Sequence, residues 1–291
     1  MPLIINKNKD IKYNLALEEY LLRDYNLKDD VLLIWYGQKA FVFGRNQNPF
    51  IEIHHKYLLD SSIPKLRRVS GGGTIFEDKG TINFSYITKA YKNKINNYEF
   101  FLKPVVELLK EFNLNAYFKP KSHLFVDKVK ISGNAQAFIN NRLMHHGTIL
   151  FNTNLDIIEE ALVNYRLSAS GHHILSNKQP VANLNEFINV EKEEFVKLLV
   201  DKICQYKNIT KDQLKIKDNI KIAKLIKDKY SSWEWNFAKS PNFNITVNID
   251  SFMIDLEVEK GLIKKVSDDK YKLLKNKKLF SEEYYNVIKQ K

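Results

Sequence analysis

The feature that most restricts the fold is a run of three glycines at residues 71–73, in a chain with ten glycines in all. Ordering glycine costs more entropy than ordering other residues, so the run indicates backbone conformations or close approaches that a Cβ atom would forbid. Residues 74–76 are typical of a strand, which makes the run a strand–loop–strand turn. No Gly-Lys-Ser/Thr follows, which excludes a Walker A loop, and the turn lacks the spaced glycines of a dinucleotide fingerprint.

Two arginines, Arg67 and Arg68, stand directly before this loop. Guanidinium groups beside exposed backbone N–H groups are typical of a phosphate-binding site, because both donate to anionic oxygens. The alternative is a tight hairpin turn with solvated arginines. The loop by itself does not decide between these two interpretations.

The composition indicates a globular protein of the cytoplasm. The chain has 291 residues, of which 44% are hydrophobic, enough for one large domain or for a large and a small one. We expect no membrane span and no signal peptide, because no apolar run is long enough and the N-terminal residues lack an apolar core. The single cysteine, Cys204, excludes an intrachain disulfide and fits a reducing compartment.

The formal net charge of +12 suggests an acidic partner, such as a nucleotide, a nucleic acid or an acidic protein surface. Part of this charge fits an AT-rich genome, since lysine, asparagine and isoleucine are abundant. Two lysine-rich segments, 207–229 and 264–278, are interspersed with Asp and apolar residues, which favours solvated faces over nucleic-acid patches. We therefore expect no nucleic acid among the partners.

Hydrophobic periodicity predicts a mixture of helices and strands. We expect a helix from an Asn14 cap to Leu22, and strands 31–37 and 40–46 joined as a hairpin. A helix at 210–229 begins with a capping box of Thr210 and Gln213. The other predicted strands are 66–69, 74–78, 81–87, 116–118, 123–132 and 144–152, and the other predicted helices are 96–113, with a kink at Pro104, 155–165 and 191–206.

The pattern changes at Phe243, where apolar and polar residues begin to alternate. This alternation is typical of an antiparallel meander with one covered face. We expect residues 1–240 to form a large domain and residues 241–291 a small accessory one. The predicted class is α+β (α/β mixed), with mixed sheets and flanking helices.

Two further stretches carry residues suited to ligand binding. In residues 127–135, strand alternation predicts that Lys130 and Ser132 share one face, and that the chain then turns at Gly133. The alternative is an edge-strand lysine that discourages aggregation. Gly147 lies in the middle of a predicted strand, which often marks close approach by a ligand.

Other common sites find less support in the sequence. Six of the seven histidines are adjacent pairs, at 54–55, 145–146 and 172–173. Strand neighbours point to opposite faces, so these pairs do not readily chelate one ion, and we assign no metal site. Cys204 lies on a predicted helix, where burial as a small apolar residue is the ordinary explanation. A Ser-His-Asp hydrolase is unsupported, because no G-x-S-x-G elbow occurs.

Five stretches in this order resemble the signatures of lipoate–protein ligases. They are FGRNQN (43–48), RRVSGGGTIFEDKGTINFS (67–85), KISGNAQ (130–136), HHGTIL (145–150) and WEWNFAKSPNF (233–243). The resemblance runs from the N-terminal helix to about residue 243, and more loosely through the C-terminal module. It implies a catalytic domain related to biotin ligases and class II synthetase cores, plus a small C-terminal domain.

The resemblance also implies an activity: ATP-dependent activation of lipoate to lipoyl-AMP, then transfer to a lysine of an apo-lipoyl domain. Such domains belong to 2-oxo-acid dehydrogenase acyltransferase subunits or to the glycine-cleavage H protein, and we expect the enzyme to be a monomer. Lys130 matches the family lysine that contacts both ATP and the lipoyl carboxyl group, and is the expected catalytic residue. Mg²⁺ is expected with ATP, without an assigned acidic ligand.

The residues expected to bind ligands follow from matching these motifs. Joining a carboxylate to an α-phosphate brings two anions together, so cationic and N–H donors are required. We expect ATP at Arg68, Gly73, Thr74, Ile75, Phe76 and Lys130; lipoate at Lys130, Ser70, Gly71, Gly72, His146 and Gly147, in an apolar slot that the 31–46 hairpin also lines; and support of the adenylate pocket by Asn83, Ser132 and Gly133.

Three positions depart from the family pattern, and the C-terminal module is shorter than usual. Glu77 stands where His is usual, Asn134 where Ser is commoner, and Ala238 where Gly is usual. These changes leave Arg68, the triple glycine and Lys130 intact.

Three rival functions stay open. An acyltransferase of the same fold, which moves octanoyl or lipoyl groups, needs a nucleophilic thiolate, and Cys204 is the sole candidate. A biotin ligase is disfavoured, because its Gly-Arg-Gly-Arg type of loop is absent. A non-catalytic module that binds lipoyl domains or RNA is disfavoured by the presence of Arg68 and Lys130.

Overall fold

The computed structural model describes residues 2–119, 122–163, 169–171, 174–207, 216 and 219–289. The strands are β1 (Leu3–Asn6), β2 (Val31–Trp35), β3 (Ala40–Phe43), β4 (Lys65–Arg67), β5 (Ile75–Glu77), β6 (Thr81–Lys89), β7 (Ala116–Lys119), β8 (His123–Val126), β9 (Val129–Ile139), β10 (Arg142–Leu150), β11 (Ala169–Ser170), β12 (Phe243–Ile249), β13 (Phe252–Glu259) and β14 (Leu262–Val266). The α-helices are α1 (Ile11–Arg23), α2 (Pro49–Glu52), α3 (His55–Leu59), α4 (Tyr98–Glu111), α5 (Leu155–Ile158), α6 (Lys192–Lys207), α7 (Asn219–Leu225), α8 (Trp233–Asn236) and α9 (Glu282–Lys289). Short 3₁₀ helices lie at Leu184–Glu186 and Asp269–Leu274, and π-helical turns at Glu159–Val163 and Ile226–Tyr230.

The strands of the described residues form three sheets. The largest has the order β1-β2-β6-β10-β9-β8-β7, and the smaller two have the orders β11-β12-β13-β14 and β4-β3-β5. Pairs β1–β2 and β3–β4 are parallel, whereas β6, β8, β9 and β10 pair antiparallel. Mixed sheets with helices confirm the predicted α+β class.

By its internal contacts the chain divides into two units, and the first comprises residues 1–39, 77–155 and 178–226. It contains the largest sheet, whose apolar face is covered by α4 and α6. The helical period of α4 explains this packing, because Phe101, Val105 and Leu108 recur on one stripe and are buried. Pro104 lies inside α4 as predicted.

The second unit comprises residues 40–76, 156–177 and 227–291. Its core joins Phe50 and Ile51 to the buried alternate residues of β12, β13 and β14. Every second residue of β12 is buried, so the antiparallel meander predicted from Phe243 is confirmed. Residues 241–291 thus lie in this unit together with residues 40–76, and the domain boundary after residue 240 stays a prediction.

Two predictions near the N-terminus differ from the structure. Asp10, not Asn14, caps α1, and its carboxylate accepts from the backbone N–H of Lys12. Asn14 is buried inside α1 and accepts a hydrogen bond from Asn6 Nδ2 at 2.5 Å. The 31–46 hairpin is wrong, because β2 and β3 belong to different sheets. Both strands are fully buried apolar runs, a pattern that does not reveal which strand each one pairs with.

The predicted strand 123–132 is two strands. The chain turns at Asp127, which has φ 51°, and β8 and β9 then pair antiparallel. Gly133 is not a turn, because β9 continues through it to Ile139. Asp and Asn tolerate the left-handed conformation, so Asp127 was a signal for a turn. The apolar residues around it favoured one continuous strand instead.

Two other expectations concern helices. The predicted capping box of Thr210 and Gln213 falls outside the described residues. In the part of the chain that the structure describes, no helix is long and apolar enough to cross a bilayer.

Candidate functional site

A row of directly paired residues crosses five neighbouring strands of the largest sheet. In this row Trp35 pairs with Asn83, Asn83 with Thr148, Thr148 with Gly133, and Gly133 with His123. Paired residues point to the same face of a sheet, so Asn83 and Gly133 share a face. His146 lies on this face too, since it comes two residues before Thr148. We call this side of the sheet the polar face.

A β-bulge brings Lys130 to the polar face. Between β8 and β9 the register shifts, so that Phe125 pairs with Lys130 while Leu124 pairs with Ser132. The extra residue reverses the alternation, because Phe125 and Leu124 point to opposite faces. The prediction that Lys130 and Ser132 share a face is therefore wrong.

The Lys130 side chain lies over Gly133. A Cβ atom at position 133 would come within 3.3 Å of Lys130 Nζ, so glycine gives the ammonium group its room. The backbone N–H of Lys130 donates to the carbonyl of Pro180 at 3.0 Å, and its carbonyl accepts from Ala182 at 3.2 Å. These two bonds fix the lysine backbone independently of its side chain.

His123 is a candidate site residue that the sequence reasoning missed. It pairs with Gly133, on the same face as Lys130, and it is half-buried. Burial and, secondly, the positive charge of Lys130 lower the pKa of His123 from 6.5 to about 4. At neutral pH this imidazole is therefore uncharged and leaves the positive charge of this place to Lys130.

The pKa of His123 gives a testable prediction. In Lys130→Ala the pKa of His123 should rise, but should stay below 6.5 because burial remains. We would measure it by NMR titration of the imidazole, with Lys128→Ala, whose exposed lysine lies in the β8–β9 turn, as the control. An unchanged pKa in Lys130→Ala would show that the two side chains do not interact.

The same shift predicts how stability depends on pH. The unfolded chain binds a proton at His123 near pH 6.5, whereas the folded chain binds it only near pH 4. Between these values the unfolded state holds more protons, so the contribution of His123 to stability is complete above pH 6.5 and is lost as the pH falls towards 4.

A buried carboxylate holds His146. Glu18 of α1 is 2% exposed, and its Oε2 lies 3.1 Å from His146 Nδ1. Glu18 also accepts from Ser85 Oγ and from Trp35 Nε1. Burial raises the pKa of Glu18, whereas the electrostatic interaction with His146 and the hydrogen bonds from His146, Ser85 and Trp35 lower it. The lowering effects are larger together, so the pKa of Glu18 lies below its ordinary value. This hydrogen bond fixes the orientation of the imidazole.

Gly147 and Ser132 lie on the opposite face of the sheet. A Cβ atom at position 147 would come within 1.9 Å of Asn134 Oδ1, so the Asn134 side chain fills the space over Gly147. Asn134 Nδ2 donates to Ser132 Oγ at 3.1 Å. Packing by Asn134 therefore accounts for the mid-strand glycine.

The glycine loop belongs to the second unit, and Arg68 shapes it from inside. Arg68 is 6% exposed, and its guanidinium donates to the carbonyls of Gly71 and Gly73 at 2.6 and 2.8 Å. It also donates to Ser70 Oγ and to the Val42 carbonyl. The loop is therefore wrapped around a cation, which brings positive charge to its backbone.

The three glycines have different structural reasons. Gly72 has φ 88°, which disfavours any residue with a Cβ atom. A Cβ atom at Gly73 would come within 2.9 Å of Ser176 Oγ. A Cβ atom at Gly71 would meet nothing within 4 Å, and Gly71 is exposed. A positive φ at Gly72 and a close contact at Gly73 thus explain two of the three glycines, and nothing in the described structure requires glycine at position 71.

Residues Thr74, Ile75 and Phe76 lead from this loop into β5. Phe76 is 2% exposed and packs against the Phe41 ring, with centroids 5.2 Å apart. Its side chain is therefore committed to the core, and what it can offer a ligand is its backbone.

Arg67 stabilises the second unit. It is fully buried, and its guanidinium lies over the Phe43 ring at 4.8 Å. Its side chain donates to the carbonyl oxygens of Gly44, Arg45, Gln47, Trp235 and Asn236 and to the Ser240 hydroxyl. Burial lowers the pKa of Arg67 to about 10, so the group stays charged at neutral pH. Arg67 thus ties the FGRNQN stretch to the WEWNFAKS stretch.

Cys204, Glu77 and Asp78 are buried inside the fold. Cys204 of α6 is 5% exposed in the apolar core of the first unit. Glu77 accepts from Asn83 Nδ2 at 2.8 Å, and Asp78 accepts from the backbone N–H groups of Gly80 and Asn154. Among the described residues no three His, Cys, Asp or Glu side chains group as metal ligands.

Comparison with known proteins identifies a family. Residues 10–204 match the lipoyl protein ligase A/B catalytic domain. The chain is 33% identical over 285 residues to lipoate–protein ligase 1 of Staphylococcus aureus, which covers 97% of this chain and 85% of that protein.

Two solved structures share the fold. LipL1 of P. falciparum, in complex with lipoate, has a TM-score of 0.70 at 23% identity, over 100% of this chain and 94% of that one. A lipoate–protein ligase A bound with ATP has a TM-score of 0.68 at 22% identity, over 81% of this chain and 97% of that one.

Proposed function

The chain belongs to the lipoyl protein ligase A/B family, as its motifs predicted, and we propose that it is an ATP-dependent lipoate–protein ligase. The observation that carries this proposal is the setting of Lys130. Its backbone is fixed by two hydrogen bonds, Gly133 leaves room for its ammonium group, and the neighbouring His123 is uncharged at neutral pH. A relative 33% identical over 97% of the chain is named a lipoate–protein ligase.

In the first step of the proposed reaction, a lipoate carboxylate oxygen attacks the α-phosphorus of ATP. The bond to the β-phosphate oxygen breaks, pyrophosphate leaves and lipoyl-AMP remains. Negative charge builds up on oxygens in the transition state, and a preorganised ammonium group stabilises it there. Lys130 is the proposed catalytic residue.

In the second step the ε-amine of a lysine on a lipoyl domain attacks the acyl carbon of lipoyl-AMP. An amide bond forms, the acyl–phosphate bond breaks, AMP leaves and the amine gives up its proton. The proposed acceptors are lipoyl domains of 2-oxo-acid dehydrogenase acyltransferase subunits or the glycine-cleavage H protein. The acceptor lysine attacks lipoyl-AMP directly, so the proposed reaction needs no acyl-enzyme.

Other residues are proposed to bind and orient the reactants. Arg68 and residues 73–76 bind ATP, the former by the charge that it brings to the loop. Residues 70–72 and His146 bind lipoate, with His146 oriented by Glu18. Asn83 and Gly133 support the adenylate pocket from the polar face, whereas Gly147 and Ser132 lie on the opposite face and are left out of the proposed site. Mg²⁺ fits this scheme as the ATP complex, since it keeps several waters and is bound largely by phosphate oxygens.

The first two glycines of the run, Gly71 and Gly72, should respond differently to alanine. Gly71→Ala should leave the Tm unchanged and raise the KM for ATP or lipoate, because its Cβ atom meets no protein atom. Gly72→Ala should lower stability by about 1–2 kcal/mol, because its φ of 88° penalises a side chain. Thermal denaturation and steady-state kinetics measure the two effects. Wild-type KM values for both substrates in Gly71→Ala would remove the loop from the binding site.

The rival acyltransferase makes the opposite prediction for Cys204. With ATP, lipoate and an apo-lipoyl domain, Cys204→Ser should lipoylate the domain at close to the wild-type rate, because a thiol in the apolar core is not a nucleophile in this scheme. Mass spectrometry of the domain measures the transfer. Loss of transfer, with an acyl group found on Cys204 of the wild type, would favour the acyltransferase.

The remaining proposals concern the setting of the enzyme. We propose that it is a cytoplasmic monomer, which fits its single cysteine, and that residues 1–240 carry the adenylating activity with 241–291 as an accessory domain. Steering of an acidic lipoyl domain is the use proposed for the net charge of +12.

A further inference from the structure

Two side chains and one backbone N–H of the second unit surround a single hydroxyl group. Ser176 Oγ accepts from the Thr74 backbone N–H at 2.9 Å and from Gln47 Nε2 at 3.0 Å. The same hydroxyl donates to a carboxylate oxygen of Glu52, and the other Glu52 oxygen accepts from the Ser176 backbone N–H at 3.0 Å. We call the Thr74 N–H, Gln47 and Glu52 the hydroxyl cradle.

The hydroxyl cradle is fixed by the fold. Gln47 is 1% exposed, and its Oε1 accepts from the Gly44 N–H at 3.0 Å and from Thr74 Oγ1 at 2.9 Å. Glu52 is 7% exposed and lies on α2. A carboxamide with its oxygen held in this way must direct its NH₂ group towards Ser176.

The donors and acceptors of the cradle match a hydroxyl and do not match an anion. An oxygen at this position receives two N–H bonds and must donate one proton to Glu52. A phosphate oxygen has no proton to donate and would lie against a carboxylate, where like charges repel strongly in a buried setting. An alcohol satisfies all three partners at once.

The segment that supplies Ser176 is held mainly by polar contacts. Its neighbours Ile174 and Leu175 are 54% and 60% exposed, so burial of their side chains contributes little to holding it. Gln47 Nε2 also lies 3.4 Å from the Ile174 carbonyl. A few hydrogen bonds, each of modest net strength, therefore keep the serine in the cradle.

We propose that the hydroxyl cradle is a ligand subsite for a ribose hydroxyl of the nucleotide, and that Ser176 occupies it when no nucleotide is bound. The proposal rests on the proposed function, since it takes the adjoining glycine loop to bind ATP. Ser176 then acts as an internal competitor that lowers the affinity for ATP. A ligand that displaces it replaces the Ser176 hydroxyl by one of its own hydroxyl groups.

The test compares the affinities of three nucleotides for three proteins. Calorimetric titration with ATP, 2′-deoxy-ATP and 3′-deoxy-ATP, each with Mg²⁺ and without lipoate, is made on wild type, Ser176→Ala and Ser170→Ala. Ser170 is an exposed serine on β11 of the same unit and is the matched control. Ser176→Ala should bind ATP about threefold to tenfold more tightly than wild type, because this factor corresponds to the net free energy of one hydrogen bond. That gain should disappear for the deoxynucleotide that lacks the hydroxyl in question, and Ser170→Ala should behave as wild type.

The other outcomes overturn the proposal. Equal or weaker ATP binding by Ser176→Ala would show that the serine does not compete with the ligand. An equal gain for all three nucleotides would show that its removal only loosens the segment. Both results leave ATP binding by wild type intact and therefore leave the proposed function standing. Folded wild type that binds none of the nucleotides would overturn the proposed function and the subsite together.

Discussion

Lys130→Ala is expected to form lipoyl-AMP about 10²- to 10³-fold more slowly than wild type, the usual effect of removing one preorganised donor to a developing negative charge. The ammonium group contributes more to the transition state than to either ground state, so the loss should appear mainly in kcat. Lys130→Arg should recover little, because a planar guanidinium does not replace a compact ammonium group over Gly133.

The fold should survive this substitution. The backbone bonds of Lys130 to Pro180 and Ala182 do not depend on its side chain. Circular dichroism and thermal denaturation of Lys130→Ala check this, and Lys128→Ala is the kinetic control because its lysine is exposed in the β8–β9 turn. Adenylation by folded Lys130→Ala within a few-fold of wild type would remove Lys130 from the catalytic centre.

Arg67→Met is expected to lower the free energy of unfolding of the second unit by about 4 kcal/mol or more, a large share of the ~5–15 kcal/mol of an ordinary domain. Methionine keeps the apolar stem against Phe43 but leaves the acceptors of the guanidinium without their donor. Each buried polar group left unsatisfied costs roughly 1–3 kcal/mol. Lysine at this position should restore only part of the loss, because it cannot span acceptors on two separate stretches.

Urea denaturation followed by tryptophan fluorescence measures this effect, because Trp233 and Trp235 belong to the second unit. Arg45→Met is the matched control, since Arg45 is an exposed arginine of the same FGRNQN stretch. A loss in Arg67→Met no greater than that in Arg45→Met would contradict the role given to Arg67.

Motif order predicted the family, and periodicity predicted most helices and strands, because both depend only on residues that are close in the sequence. The site geometry was harder to predict. Strand alternation put Lys130 with Ser132, and only the register of β8 against β9 reveals the bulge that moves Lys130 beside Gly133 and His123. A bulge depends on the partner strand, which a single sequence does not specify.

The glycine loop shows the same limit from another side. The sequence left two interpretations open for Arg67 and Arg68, a phosphate-binding loop or solvated arginines, whereas both side chains turn inward onto carbonyl oxygens. Most of their acceptors, at Gln47 and Gly71 among others, are backbone atoms that any residue possesses, so no residue type signals them. Gln47 and Glu52 were missed for a similar reason, because their partner Ser176 is more than a hundred residues away.

The central claim is that this chain adenylates lipoate, and the most direct test is a single-turnover reaction with ATP and lipoate in the absence of any lipoyl domain. We expect about one pyrophosphate and one lipoyl-AMP per enzyme molecule, formed only when lipoate is present, and neither product from Lys130→Ala on the same timescale. Folded wild-type enzyme that releases no lipoate-dependent pyrophosphate would contradict the account.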